Sequence, residues 1–325
     1  MDTVKVGFIG LGGMGQHHLQ SLRSIPEARV VAVCDINPEL ATSVGTEYRA
    51  RSYTDHHELL DKEELDALYV VIPPFAHTDA ELIAARKGIH LFVEKPVALS
   101  LDKAREIWQA CRSAGIITSV GYTLRYFGYA TRLRRFLADR TVAMIVINRW
   151  GGMADLPWWR QMNRSGGQLV EQTTHQVDMV RYVTGKEITS VYADYALRVM
   201  GDWEYVDIPD VYSVAMRLED GTPVSLTTSC QMHKGGGDSS MHFLLDGSRI
   251  ELRGARLRTL PEENPDLDGE HGQEVNVDRA FVDAILQKDP SLVRSPYDDA
   301  MKTLAVTLAA NESARKGIPV RPSLS

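Results

Sequence analysis

The sequence predicts an α/β chain of two domains: a doubly wound parallel sheet at the N-terminus, then an α+β domain built on a largely antiparallel sheet. Three observations carry this. The chain has 325 residues, more than the ~250 at which a single hydrophobic core usually stops growing. Up to Gly121, short β-branched apolar runs alternate with amphipathic helical patterns, the order that yields a parallel sheet covered on both faces. From Ile188 to about Leu260 the pattern becomes alternating strands, separated by turn signals such as Asp220-Gly221 and Asp246-Gly247.

Taken in order, Val4 to Ile9, Arg29 to Cys34, Ala67 to Ile72, Ile89 to Val93 and Ile116 to Val120 read as strands. Helices are expected between them, at about Met14 to Ser24, Pro38 to Tyr48, His77 to Lys87 and Leu101 to Ala114. The pattern changes after Gly121, so the domains are read as 1–121 and 122–325. A helix near Tyr129 to Asp139 leads into a strand from Val142 to Trp150, an irregular aromatic stretch, and a helix carrying GGQLVEQTTHQVD, Gly166 to Asp178. The polar stretch Pro261 to Glu274 reads as an exposed loop, and two helices follow, near Val277 to Lys288 and Asp298 to Lys316.

Composition narrows the function classes. An apolar fraction of 44% and a charged fraction of 24% are those of a soluble globular protein. No apolar run approaches the ~20 residues that span a bilayer, and MDTVKVGFIG lacks the basic region of a signal peptide, so no membrane segment and a cytoplasmic location are expected. Cys34, Cys111 and Cys230 are far apart, which suggests neither a disulfide framework nor a thiolate zinc site. A net charge of -7 repels phosphate backbones, and the one dense basic segment, around Arg132 to Arg135, is short. Nucleic acid is not an expected partner.

The first apolar strand runs directly into Gly10-Leu11-Gly12-Gly13-Met14-Gly15, which opens an amphipathic helix. Glycines there let backbone N–H groups approach a pyrophosphate, and the helix N-terminus favours its charge. Asp35 closes the second strand twenty residues past Gly15, where a carboxylate can accept hydrogen bonds from the ribose hydroxyls of an adenosine. It repels a 2′-phosphate, and Ile36, Asn37 and Pro38 offer no cation. The cofactor read from these residues is NAD in preference to NADP.

Two further groups carry reactive side chains. Glu94-Lys95-Pro96 ends the strand IHLFVEKP at the carboxyl edge of the sheet, where ligands of doubly wound folds sit, and Pro96 is a candidate cis site. A lysine there can donate to a substrate hydroxyl and favour an alkoxide, or it can be a surface residue at a strand end. At about 100° per residue, Glu171, His175 and Asp178 share one helix face, while Leu169, Thr173, Val177 and Val180 fall opposite. Carboxylates at i−4 and i+3 can orient an imidazole for acid/base work. The same three residues permit a metal site, which an ammonium from Lys95 nearby would oppose, so no metal is assigned. Trp158, Trp159 and Arg160 suit a polyhydroxylated ring or a cofactor ribose, or else a buried aromatic clamp.

GLGGMG with Asp35, then EKP, then a GG-x-x-x-[DE]-x-x-x-H-x-x-D segment in the second domain together resemble the Gfo/Idh/MocA family of NAD(P)-dependent sugar and inositol oxidoreductases. The resemblance implies a Rossmann domain and a second domain with an open, mainly antiparallel sheet, through which members self-associate as homodimers or homotetramers. It implies Lys95 and His175 as the catalytic pair. Glu171 stands where the family more often has Asp, which favours positioning His175 or Lys95 over direct substrate contact. In VIPPFAH, Phe75 replaces a common Asn; Pro73, Pro74 and His77 are expected near the cofactor or its lid, with His77 equally a helix-start residue. Glu94, Trp159 and Arg160 are placed on the cofactor side. Tyr122, Arg125 and Tyr126, in GYTLRYF, match the family's G-F/Y-x-x-R-F/Y pattern and with Trp158 are placed on the substrate side.

The function implied is an NAD-dependent dehydrogenase acting on a hydroxyl of a sugar, cyclitol or related polyol. Two alternatives stand beside it: an NAD-dependent glycosidase that oxidises its substrate transiently, and a redox-inactive NAD-binding sensor.

Overall fold

The alternation up to Gly121 becomes a six-stranded sheet in the computed structural model, which describes residues 3–323. Its elements are β1 (Val4–Ile9), α1 (Gly13–Arg23), β2 (Ala28–Cys34), α2 (Pro38–Tyr48), β3 (Arg51–Tyr53), α3 (His56–Lys62), β4 (Ala67–Val70), α4 (Ala80–Arg86), β5 (His90–Val93), α5 (Leu101–Ala114) and β6 (Thr118–Val120). Every pairing is parallel, in the order β3-β2-β1-β4-β5-β6. Val4, Val6, Phe8 and all of β4 are buried, because helices cover both faces of the sheet. Strand order reverses between β1 and β4, so the loops leaving their carboxyl ends border the crevice where doubly wound sheets bind ligands.

Three local expectations are corrected. β3 and α3 were not anticipated, because a strand of three residues with only Tyr53 buried carries too short a pattern to read. The last strand begins at Thr118 instead of Ile116. The helix expected from His77 is a 3-10 turn over Pro74–Ala76 followed by α4, since consecutive prolines at 73 and 74 favour a turn over a continuous helix. Caps define other ends: Asn37 accepts from Glu39 and Leu40 N–H with Pro38 at the first helical position, and Ser100 accepts from Lys103 N–H.

The second unit comprises α6 (Gly128–Leu137), β7 (Met144–Trp150), α7 (Met162–Ser165), α8 (Gln168–Glu171), α9 (Thr174–Thr184), β8 (Ile188–Ala196), β9 (Val211–Leu218), β10 (Pro223–Ser229), β11 (Asp238–Leu245), β12 (Ser248–Arg253), β13 (Arg256–Leu260) and β14 (Gly269–Glu270). The eight strands run in the order β14-β13-β12-β11-β7-β10-β9-β8, antiparallel except for β7 beside β10. Strict alternation puts Tyr212, Val214, Met216 and Leu218 of β9 on the buried face. They join Ile145, Ile147, Leu226 and Phe243 in a core closed by Leu133, Val177 and Val180 of α6 and α9.

α10 (Val277–Gln287) does not belong with that core. Contacts divide the chain into Met1–Thr123 with Val275–Ala300, and Leu124–Glu274 with Met301–Ser325; the second cut falls inside α11 (Tyr297–Lys316). The boundary expected after 121 lies two residues from the observed one, but 275–300, assigned above to the second domain, packs with the first. Phe281 of α10 meets Tyr69 and Phe92 at ring-centroid distances of 5.7 Å and 5.9 Å, which gives the segment an apolar reason to return. No helix among the described residues is long and apolar enough to cross a membrane.

Candidate functional site

At the β1–α1 turn, Gly10 has φ 92° and donates its N–H to Cys34 O at 2.9 Å. A Cβ at Gly10 would stand 2.1 Å from Val71 O, and one at Gly15 would stand 2.2 Å from Gly10 O. These two glycines therefore let strand, turn and helix pack together. Gly12 and Gly13 differ: nothing lies within 4 Å of the Cβ position of either. That open space faces the start of α1, where no side chain caps the free N–H groups and no acid occupies the first turn. Leu11 is buried beneath the turn and Met14 is exposed beside it. The residues fit a dinucleotide, with its pyrophosphate at the helix N-terminus.

Asp35 is held beside this turn. One carboxylate oxygen accepts Leu11 N–H at 2.8 Å and the other accepts Asn37 N–H at 2.9 Å. Each oxygen keeps a second acceptor site for a ribose hydroxyl. Replacing Asp35 by Ala removes a charge-assisted acceptor, so NAD affinity is expected to fall about 10- to 100-fold, with a smaller loss for NADP. Cofactor titrations of both proteins check this; a wild-type protein that binds NADP more tightly than NAD would overturn the assignment of Asp35.

At the end of β5, the Lys95-Pro96 peptide is cis, and Lys95 N–H donates to Glu94 Oε2 at 3.0 Å. Glu94, expected on the cofactor, is instead buried, and its Oε1 lies 3.0 Å from His18 Nε2. His18 Nδ1 lies 2.8 Å from Asp278 Oδ1 of α10. Burial opposes charge on this imidazole, but hydrogen bonds to Asp278 and Glu94, and their charges, outweigh it and raise the His18 pKa to about 10. Because the folded pKa of His18 exceeds its unfolded one, its contribution to stability is complete below pH 6.5 and is lost as pH rises through about 10. Urea midpoints measured from neutral to alkaline pH should decline more steeply for wild type than for His18→Gln.

Several other expected contacts are internal to a unit. The His77 imidazole is buried and pairs with Glu81 through Nδ1, one turn further on; α4 begins only at Ala80, so His77 does not start that helix. Pro73 and Pro74 shape the turn before it, which leaves Phe75 exposed. Tyr122 and Tyr126 are buried. Nearby in sequence but unforeseen, His56 Nε2 and His57 Nε2 face the two oxygens of Asp79 at 2.8 Å and 3.0 Å, and His57 Nδ1 faces Asp55 at 3.0 Å. Hydrogen bonds from His56 and His57 hold the Asp79 carboxyl down at about 2.

In the second unit, GGQLVEQTTHQVD is two helices and not one. α8 ends at Glu171, and α9 starts at Thr174 with His175 in its first turn. Leu169, Thr173, Val177 and Val180 are buried, and so is Asp178, which the spacing on a single helix had set on the opposite face. Glu171 accepts a hydrogen bond from the Trp159 indole at 2.5 Å. Trp159, only 2% exposed, is thus a buried support for Glu171 and not a stacking face; it sits in a small core with Met153, Met200, Ile208 and Cys230, against which Trp158 packs. Arg160 pairs with Asp155 at 2.7 Å and stands over the Trp203 ring.

Asp178 also departs from its expected role. Arg125 Nε and Nη2 donate to its two oxygens at 2.7 Å and 2.5 Å, and Thr303 donates at 3.0 Å, all among buried groups. A buried carboxylate requires such partners, and this one is committed to Arg125, not to His175 or a substrate. Arg125, expected to line a cleft, also stacks over Tyr182 at 5.0 Å. Of the four catalytic candidates, Asp178 is thus held in a buried ion pair, and Glu171 is bonded to the Trp159 indole.

The chain can now be set beside known proteins. It is 27% identical to the myo-inositol 2-dehydrogenase of Thermotoga maritima over 67% of this chain and 66% of that one, and 32% identical to the scyllo-inositol 2-dehydrogenase (NAD(+)) of Bacillus subtilis over 58% and 56%. These matches thus cover less than two thirds of either relative. The WlbA dehydrogenase from Bordetella pertussis, solved in complex with NADH and UDP-GlcNAcA, has the same fold, with a TM-score of 0.86 at 21% identity over 99% of both chains. The profile of an oxidoreductase family with an NAD-binding Rossmann fold, GFO/IDH/MocA, matches residues 4–122, and the profile of that family's C-terminal domain matches residues 140–256. With both of its domains accounted for, the chain belongs to the Gfo/Idh/MocA oxidoreductase family.

Proposed function

We propose that the protein is an NAD-dependent dehydrogenase that oxidises a secondary hydroxyl of a cyclitol, sugar or related polyol. The carrying observation is the open cradle above Gly12 and Gly13, flanked by Asp35, on the same unit in which Glu94 and Lys95 follow β5. The cofactor supplies a nicotinamide carbon that accepts hydride. The chain binds it through the N–H groups at the start of α1 and orients its adenosine through Asp35. Lys95 donates its ammonium hydrogen bond to the substrate oxygen and stabilises the alkoxide as the carbon–hydrogen bond breaks. His175 takes the hydroxyl proton, a task suited to an imidazole near neutral pH. Glu171, held by Trp159, receives a neighbouring hydroxyl or orients His175.

The inositol dehydrogenases among the relatives support a ring polyol as substrate. The test is NADH formation across inositols, hexoses, glycosides and sugar acids. Oxidation of at least one cyclitol or sugar is expected; a protein that binds NAD and oxidises none of them would refute the proposal.

A further inference from the structure

The buried cluster at the end of β5 takes no part in the chemistry just proposed, yet it touches both halves of the first unit. We propose that His18 is a positioning residue for Lys95. Its imidazolium, held between the carboxylates of Glu94 and Asp278, fixes the backbone from which Lys95 projects against α1, the helix that carries the pyrophosphate cradle.

The path is short and continuous. His18 lies on α1, inside the helix that begins at Gly13. Its Nε2 meets Glu94 Oε1 at 3.0 Å, while Glu94 Oε2 accepts the N–H of Lys95, also at 3.0 Å. One carboxylate therefore bridges the cofactor helix and the lysine backbone. On the far side, Nδ1 meets Asp278 of α10 at 2.8 Å. Only the protonated ring donates from both nitrogens; a neutral ring would turn a lone pair toward one of the carboxylates. The ring is fully buried and packs against Phe92 at 4.9 Å and Tyr69 at 6.1 Å, so it cannot swing away.

The surroundings are shaped around the Glu94 carboxylate as well. A Cβ at position 121 would stand 2.0 Å from Glu94 Oε1, so the residue after β6 must be glycine for this carboxylate to lie where it does. Apolar packing would fill the same space at no desolvation cost, and buried ionic groups are often less stabilising than the hydrophobic residues that could replace them. A buried cation between two carboxylates is better explained by the geometry it imposes, because a misplacement of ~1 Å at a reacting group costs on the order of 100-fold in rate.

The kinetic part of this inference rests on the proposed role of Lys95; its chemical part does not. His18→Gln keeps one donor for Glu94 and removes the charge and the link to Asp278. In the full-length variant, kcat is expected to fall about 10- to 100-fold, with NAD affinity nearly unchanged because the cradle is backbone. Acylation of Lys95 by acetic anhydride, followed by peptide mass spectrometry across pH, should show its midpoint rise by about half a unit, since the cluster then holds one more uncompensated negative charge. Asp278→Asn loosens the same clamp from its far side and serves if His18→Gln does not fold; it should lower kcat about tenfold with NAD binding retained. Variants that lose thermal stability yet keep wild-type kcat and an unchanged Lys95 acylation profile would show a merely structural role and overturn the proposal. If the wild-type protein oxidises no polyol, the acylation profile alone decides it, which separates failure here from failure of the proposed function.

Discussion

Replacing Lys95 by Ala should lower kcat by about 100- to 1,000-fold, and replacing His175 by Ala by about 100- to 10,000-fold, while NAD binding stays close to wild type. The ranges follow from the separate tasks given to the two groups. An ammonium aimed at a developing oxyanion acts only in the transition state, so its loss appears in kcat and kcat/KM together. A proton acceptor is also needed only during reaction. In the proposed site, cofactor affinity is assigned instead to backbone N–H groups at α1 and to Asp35, which neither substitution touches. Steady-state kinetics with a separate NAD titration distinguishes the cases. Near wild-type turnover in both variants would remove the catalytic pair, whereas loss of NAD binding in step with turnover would assign the two residues to cofactor binding instead.

The largest expected effect on stability lies at Arg125. Arg125→Ala strips a buried carboxylate, Asp178, of its bidentate partner and leaves Thr303 as a remaining donor. Breaking one side of a buried ion pair costs about 3–5 kcal/mol because the surviving charge is left uncompensated. The double replacement Arg125→Met with Asp178→Leu removes both charges and should recover most of that loss. Urea unfolding of the single and double variants measures the difference. A single variant within ~1 kcal/mol of wild type would show that Asp178 is solvated or neutral and would reopen its place among substrate-facing groups.

What could be read from the sequence follows the range over which each feature is encoded. The glycine turn and Asp35 were legible because the constraint is local: a strand, a turn of fixed spacing and a helix start within a dozen residues, then a second strand end. The alternation of β9 was legible for the same reason. β3 was not, since three residues with one buried side chain hold no period. The continuous helix expected from Gly166 to Asp178 failed at Gln172 and Thr173, where α8 ends and a new helix begins.

Partner choice was the least legible property. Spacing on a helix put Asp178 beside His175, but its guanidinium partner lies 53 residues earlier in the chain. His18 looked unremarkable because its two carboxylates are 76 and 260 residues away. The second of these also lies in the segment that returns to the first unit, which a linear division of the chain could not reveal. The sequence left Trp159 open between a stacking face and a buried clamp, because whether an indole stacks on a ligand or supports a carboxylate depends on burial that no motif records.

Hydride transfer itself is the most direct test. A cyclitol or sugar deuterated at its carbinol carbons, incubated with the protein and NAD, should yield NADH carrying one deuterium on the nicotinamide, in step with formation of the keto product. Bound NAD with no deuterium transferred from any polyol offered would contradict the proposed dehydrogenase.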